Sequence, residues 1–189
     1  LLEVITNSKE SLEAMKGTIT CIEHDRIDLA YQKQINLKTG KLVGLEALLR
    51  LRDEDGNIIP NDKFIPLIEG ESLFSLVVMS SLQKLKKAFE LKNEFNMDGV
   101  TIYLNVSAHT AMQDNFTKIF ADFVKDLSLK PGELGLEITE TAELEDVKKA
   151  GESFQKLKDI GIPLAIDDFG AGYSSCLLYT SPSPRDKTV

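Results

Sequence analysis

The sequence predicts an α/β fold, either a barrel or a doubly wound sheet, and three observations carry that prediction. Short stretches with period-two alternation recur along the chain, and segments of helical periodicity separate most of them. The first two strand-like stretches are joined by a connector too short for a crossover helix, so they form an antiparallel hairpin. The 189 residues are enough for one domain with a sizeable core.

Residues 1–23 read as a lead-in helix, with Ser8 or Ser11 as its N-cap and Leu12 and Met15 as its apolar stripe. Ile27, Leu29 and Tyr31 alternate against Asp28, Ala30 and Gln32, and Val43, Leu45 and Ala47 against Gly44, Glu46 and Arg50. With the turn between them centred near Thr39, Gln32 and Glu46 fall roughly opposite each other on one face. Residues 52–57 are a polar turn, and residues 61–68 a short helix interrupted by Pro66. Leu73, Leu76, Val77, Leu82, Leu85 and Phe89 recur at helical spacing and predict a long helix over 72–95. Val100, Ile102, Leu104 and Val106 return to period two, with Asn105 on the opposite face. A second long helix is expected over 110–128 from Phe116, Ile119, Phe120, Phe123 and Leu127, stopped by Lys130-Pro131-Gly132. Leu134, Leu136 and Ile138 oppose Gly135, Glu137 and Thr139 in the next strand. Leu144, Val147, Ala150, Phe154 and Leu157 mark a helix that Gly161 closes. The last strand sets Ile162, Leu164 and Ile166 against Pro163, Ala165 and Asp167.

The bulk properties narrow the function. Hydrophobic residues make up 42% and charged residues 28% of the chain, as in an ordinary soluble protein. A net charge of -8 argues against binding a DNA or RNA polymer, which calls for a basic face. It leaves room for a small phosphate ligand held through metal ions, because metals invert the local charge logic. Cys21 and Cys176 lack ligand spacing, which fits a reduced, cytoplasmic setting. No apolar run approaches the ~20 residues that span a bilayer, so no membrane contact is expected of this segment. His24 and His109 read as surface or capping residues.

The paired carboxylates Asp167 and Asp168, at the end of an apolar strand, are the first chemical signal. Their repulsion needs an offset, for which a divalent metal is the usual answer; the alternative is a helix cap at Asp168 beside a solvated Asp167. Strand parity adds to this signal. In five strands the branched apolar residues share one parity, read as facing helices. The other parity carries small residues and then Gln32, Glu46, Asn105, Glu137 and Asp167 near strand ends. Active sites of α/β barrels lie at the C-terminal strand ends. Glu46, Asn105, Glu137 and Asp167, with Asp168 directed at a second site, offer hard oxygen donors that suit Mg²⁺ or Mn²⁺ better than zinc. A two-metal hydrolase of phosphate esters is the chemistry those donors predict.

Glu46-Ala-Leu48 with Arg50, Asn105-Val-Ser107, Glu137-Ile-Thr-Glu140 and Asp167-Asp-Phe-Gly-Ala-Gly-Tyr-Ser-Ser175 resemble, in order, the motifs of the EAL-domain family. Tyr31-Gln32 and Phe64-Ile-Pro66 match in place as well, so the resemblance covers about residues 24–175. It implies a TIM-like (β/α) barrel with one antiparallel strand, incomplete here at about five of eight strands. It also implies a bacterial signalling phosphodiesterase that opens cyclic di-GMP to linear pGpG; the alternative is a non-catalytic module that binds cyclic di-GMP. By position, Glu46, Asn105, Glu137 and Asp167 would hold one Mg²⁺ or Mn²⁺ and Asp168 the second, with Glu46, Asp167 and Asp168 counted as catalytic. Gln32 and Arg50 would contact the ligand, Arg50 through phosphate. Residues 167–175 would form a loop that couples the second metal to homodimerisation. Lys33 and Ala171 replace the family's usual proline and threonine. Residues 176–189 depart from the pattern and read as an unrelated or disordered tail, so the chain is expected to be a fragment, without the family's catalytic lysine and with little or no turnover.

Overall fold

The computed structural model describes residues 2–68, 72–113, 115–139 and 147–166. The chain divides into two compact units, Leu1–Ile102 and Tyr103–Val189.

In the first unit, helix α1 (Leu2–Glu23) leads into the hairpin of β1 (Ile27–Ile35) and β2 (Leu42–Arg52). The hairpin is antiparallel, and Gln32 pairs with Glu46, as the spacing about Thr39 requires. Asn36 builds the turn: its Oδ1 accepts from the Lys38 and Thr39 amides, and Gly40 takes a φ of 68°. A bulge lies between Gln34 and Ile35. Gln34 pairs with Gly44, and its side-chain oxygen occupies the space that a Cβ at Gly44 would need. A two-residue strand β3 (Ile58–Ile59) pairs antiparallel with β2. The sequence treated this region only as a turn, because two residues carry no periodicity. Asp53 closes that turn, its Oδ1 accepting from the Asp55 and Asn57 amides and its Oδ2 from the Asn57 side chain. Helices α2 (Asn61–Ile68) and α3 (Ser72–Glu94) complete the unit. Its core gathers Cys21, Ile27, Leu51, Phe64, Ile68, Val77, Leu82 and Leu85.

Three expectations for this unit need correction. Ser8 and Ser11 lie inside α1 (Leu2–Glu23), not at an N-cap position. Leu12 and Leu76, assigned to buried stripes, are exposed. The apolar parity of the hairpin is buried at Ile27, Ala47 and Leu51, while Tyr31, Ile35 and Val43, nearer the turn, are exposed. Alternation places these side chains on a common face, but only packed partners can bury that face.

In the second unit, β4 (Thr101–Ser107) runs on from the first, followed by α4 (Ala108–Ala111), α5 (Phe116–Asp126), β5 (Leu134–Thr139), α6 (Val147–Asp159) and β6 (Leu164–Ile166). Strand β5 lies between β4 and β6, and β5 and β6 are parallel, with Glu137 in register with Ala165. Leu104, Val106, Leu134, Leu136 and Ile138 are buried, but on β5 Gly135 and Glu137 of the opposite parity are buried too, and Leu164 is half-buried. The buried apolar residues share the core with Phe116, Phe120, Phe123, Ala150, Phe154 and Leu157. Phe116 and Phe120, one helical turn apart, hold their ring centroids 4.5 Å from each other. The single helix expected over 110–128 is instead α4 and α5 with a break between them. Helix α5 ends at Asp126, capped by Leu127, before Lys130-Pro131-Gly132 is reached. Leu144 and Asp167 lie outside the described residues.

Four helices end in the same way. The residue after the cap takes a positive φ at Asp25 (52°), Asn96 (50°), Ser128 (52°) and Gly161 (86°). The next amide reaches back five residues: Arg26 to Cys21, Met97 to Lys92, Leu129 to Val124, and Ile162 to Leu157. This is the Schellman arrangement. The sequence signalled it only at Gly161, since Asp, Asn and Ser enter the left-handed region far less often than Gly.

Candidate metal and ligand site

On the hairpin of the first unit, residues directly opposite in an antiparallel pair share a face. The register Asp28–Arg50, Ala30–Leu48 and Gln32–Glu46 therefore sets Gln32, Glu46 and Arg50 on one face. Gln32 is exposed, whereas Glu46 and Arg50 are half-buried. The Arg50 Nη1 donates to the Leu49 carbonyl at 2.7 Å. Asp28, opposite Arg50 in the register, pairs instead with Arg52 at 3.2 Å. Among the described residues, the guanidinium of Arg50 is thus held by a backbone carbonyl.

In the second unit, Asn105 and Glu137 each stand two residues before the last residue of their strand, β4 and β5. Asn105 is half-buried, flanked by buried Leu104 and Val106. Glu137 is 9% exposed between Leu136 and Ile138, which are fully enclosed. A carboxylate this deep in an apolar strand is costly to desolvate and calls for compensating interactions. Both Asn105 and Glu137 make interactions within the fold.

The turn that follows Asn105 is fixed by Ser107, to which the sequence assigned no role of its own. Its buried Oγ accepts from the Thr110 amide at 3.2 Å and donates to the Thr110 hydroxyl at 3.0 Å. Ser107 is the N-cap of α4 and anchors the end of β4 close behind Asn105. A serine ahead of Ala108-His-Thr110 was the available signal.

Asp167 and Asp168 lie outside the described residues, as does the loop 167–175. Among the described residues, no three His, Cys, Asp or Glu side chains cluster as a metal site. Both histidines are exposed, as expected, and a ring nitrogen of His24 lies 3.0 Å from the Thr20 carbonyl oxygen. Cys21 is buried in α1; its thiol donates to the Arg52 carbonyl at 3.3 Å, and burial pushes its pKa up. No described helix is long and apolar enough to cross a membrane.

With this placement in hand, the comparison with known families is decisive: the EAL domain matches residues 13–181. The chain belongs to the EAL-domain family. It is 35% identical over 170 residues to the cyclic di-GMP phosphodiesterase PdeA of Borreliella burgdorferi, covering 89% of this chain and 25% of that protein. It is 31% identical over 149 residues to the cyclic di-GMP phosphodiesterase PA2567 of Pseudomonas aeruginosa, covering 78% of this chain and 25% of that protein. Among solved structures, the PaMucR phosphodiesterase in complex with c-di-GMP is similar with a TM-score of 0.76 and 27% identity, over 90% of this chain and 70% of that chain. The chain spans about a quarter of the length of the curated relatives it matches. The fold class of this EAL domain is α/β and TIM-like, as the resemblance implied; besides the expected antiparallel strand of the hairpin, the two-residue β3 also runs antiparallel to β2.

Proposed function

We propose that this chain is part of a metal-dependent phosphodiesterase that hydrolyses cyclic di-GMP to linear pGpG. The observation that carries the reading is the Gln32–Glu46 register, which puts an amide, a carboxylate and the Arg50 guanidinium on one face of a chain belonging to the EAL-domain family. The phosphodiesterases PdeA and PA2567 and the c-di-GMP complex of PaMucR supply the substrate class.

The residues fit a divalent metal by donor chemistry. Glu46, Asn105 and Glu137 offer carboxylate and amide oxygens, the donors Mg²⁺ and Mn²⁺ prefer, and the one described thiol is bonded to a backbone carbonyl. In this reading Glu46, Asn105, Glu137 and Asp167 hold one ion and Asp168 the second. The bound ions would lower the pKa of a water and offset the charge of the phosphodiester. Arg50 grips a phosphate oxygen with its guanidinium, and Gln32 hydrogen-bonds the ligand and orients it. Glu46, Asp167 and Asp168 keep the negative field that localises the cations. Water adds across one P–O3′ ester: the phosphorus gains the water oxygen and the departing 3′ oxygen gains a proton, so the ring opens to pGpG. We place this chemistry in the cytoplasm, and assign the 167–175 loop to coupling with a second copy of the chain.

Calorimetric titration of cyclic di-GMP into the 189-residue chain, with Mn²⁺ and then with EDTA, tests this reading, with products followed by chromatography. Binding that requires Mn²⁺ and is lost in Glu46→Gln is the expected result. Binding that is indifferent to EDTA, with no pGpG formed, would instead identify a non-catalytic receptor. No response to cyclic di-GMP in either condition would overturn the substrate assignment.

A further inference from the structure

Within the first unit, the turn end of the β1–β2 hairpin is exposed, apolar and basic at once. Tyr31, Ile35 and Val43 are 39%, 45% and 42% exposed, and Leu37, in the turn itself, is 98% exposed. Lys33, Lys38 and Lys41 are exposed among them. From Leu29 to Leu45 the sequence holds these three lysines and no acidic residue, in a chain whose net charge is -8. Among the described residues, no ion pair joins any of the three to a carboxylate. Strand alternation sets Tyr31 and Lys33 on the face opposite Gln32 and Glu46, away from the proposed ligand face.

The turn does not need Leu37 for its own structure. The Asn36 side chain accepts from the Lys38 and Thr39 amides, and the Asn36 amide donates to the Lys41 carbonyl at 2.9 Å. A single exposed leucine calls for no explanation. Four exposed apolar side chains interleaved with three lysines are another matter, because apolar side chains beside lysines make the chemistry of a surface that meets anionic lipid. The lysine stems are themselves apolar and can lie along the headgroup layer while their ammonium groups stay wet. The acidic charge of the chain does not cancel this. Charges separated by more than a Debye length, about 8 Å at physiological ionic strength, are largely screened. Glu46, the next acidic residue after Lys41, lies roughly 16 Å further along β2 at the usual strand rise. Leu37 favours lipid over an acidic protein, since an apolar side chain in the turn enters a headgroup layer without desolvating strand backbone.

We propose that the β1–β2 turn docks this domain on an anionic lipid surface. Leu37, with Ile35 and Val43, enters the headgroup region, and Lys33, Lys38 and Lys41 meet the lipid phosphates. This revises the expectation of no membrane contact, which rested on the lack of a spanning run. No described helix is long and apolar enough to cross a membrane, but contact with a surface needs no such helix. The docking does not depend on the metal site or on the identity of the hydrolysed substrate.

Flotation of the 189-residue chain with phosphatidylcholine vesicles, with and without phosphatidylglycerol, tests this in EDTA, so that no divalent ion bridges protein to lipid. Binding to the phosphatidylglycerol vesicles alone is expected, falling as salt is raised. Lys38→Gln/Lys41→Gln should weaken it by about tenfold or more, since each lysine near an anionic leaflet contributes about fivefold. Leu37→Ser should also weaken it, through the lost apolar contact. Lys87→Gln/Lys118→Gln removes the same charge from exposed helix positions and should leave vesicle binding unchanged. Far-UV circular dichroism of each variant separates a lost surface from a lost fold, and Leu37→Ser alone carries the test should the double variant unfold. Absence of flotation with phosphatidylglycerol, equal binding to pure phosphatidylcholine, or equal loss in the control would overturn the docking. So would native-like binding of Leu37→Ser. Binding to a polyglutamate peptide without binding to either vesicle would assign the turn to an acidic protein instead.

Discussion

Glu137 is the most enclosed of the described residues proposed to hold the metal. It is enclosed between Leu136 and Ile138 on β5, where an isosteric neutral replacement disturbs packing little. We expect Glu137→Gln to keep the far-UV circular dichroism of the native chain and to lower Mn²⁺ affinity by at least about tenfold, since loss of even supporting contacts to a metal costs 10–100-fold; titration with Mn²⁺ followed by electron paramagnetic resonance measures it. Native-like Mn²⁺ affinity would remove Glu137 from the ligand set. Asp53 offers a second test at this scale. The Asn57 side chain, then the Asn57 backbone amide, hold its carboxyl below the ordinary aspartate value. Because the folded pKa is depressed, the contribution of this turn is present above the unfolded value, about 3.9, and is lost as pH falls through the folded one. Protection of the Asn57 amide, as its exchange rate relative to the intrinsic rate at the same pH, should therefore fall on acidification below about pH 4, and Asp53→Ala should abolish that pH dependence. An unchanged exchange profile in Asp53→Ala would show that the carboxylate does not hold the turn.

Among the elements, the helix ends are the most open to test. Ser128 carries a φ of 52° at the end of α5, a conformation that costs a non-glycine residue about 1 kcal/mol. Ser128→Gly should stabilise the chain by about 0.5–1 kcal/mol, read as a higher urea midpoint at constant slope. Gly161→Ala should act in the opposite sense. Its φ is 86°, and an added Cβ would lie 3.0 Å from the Cα and Cβ of Pro131. A loss of about 1–3 kcal/mol is expected from backbone strain with this contact, and a native-like midpoint would show that the Pro131 turn yields at no cost. Ser107, capping α4 through Thr110, belongs to the same group of terminal devices, and it steadies the strand end beside Asn105.

At the scale of the whole molecule, metal binding and stability should be linked. A ligand that binds only the folded state at one hundred times its dissociation constant stabilises by about 2.7 kcal/mol. Thermal unfolding should shift upward with Mn²⁺, return to its starting point with EDTA, and show no shift in Glu46→Gln or Glu137→Gln. An equal Mn²⁺ shift in both variants would place the metal elsewhere in the chain. The acidic charge of -8 makes control titrations with Ca²⁺ necessary, since a diffuse surface effect would follow ionic charge and not ligand identity.

Much of this was legible in the residues. Period-two alternation fixes which side chains share a strand face, and a connector of known length fixes the register, so Gln32 could be set against Glu46 without coordinates. Motif order then led to the EAL-domain family. Local rules could not say which of those faces would be covered. Tyr31 and Val43 alternate as regularly as Leu104 and Leu136 yet stay exposed, because burial depends on the elements that pack against a face and not on its own pattern. Nor could they place the break between α4 and α5, the brief β3, or helix ends at Asp25, Asn96 and Ser128, where hydrogen bonds to the preceding turn hold residues in a conformation they seldom choose alone. Periodicity and spacing therefore determined strand, face and register, which are local and repeat along the chain. Tertiary packing decided coverage, interruption and termination, since each of these compares a weak local preference with contacts from residues far away in sequence.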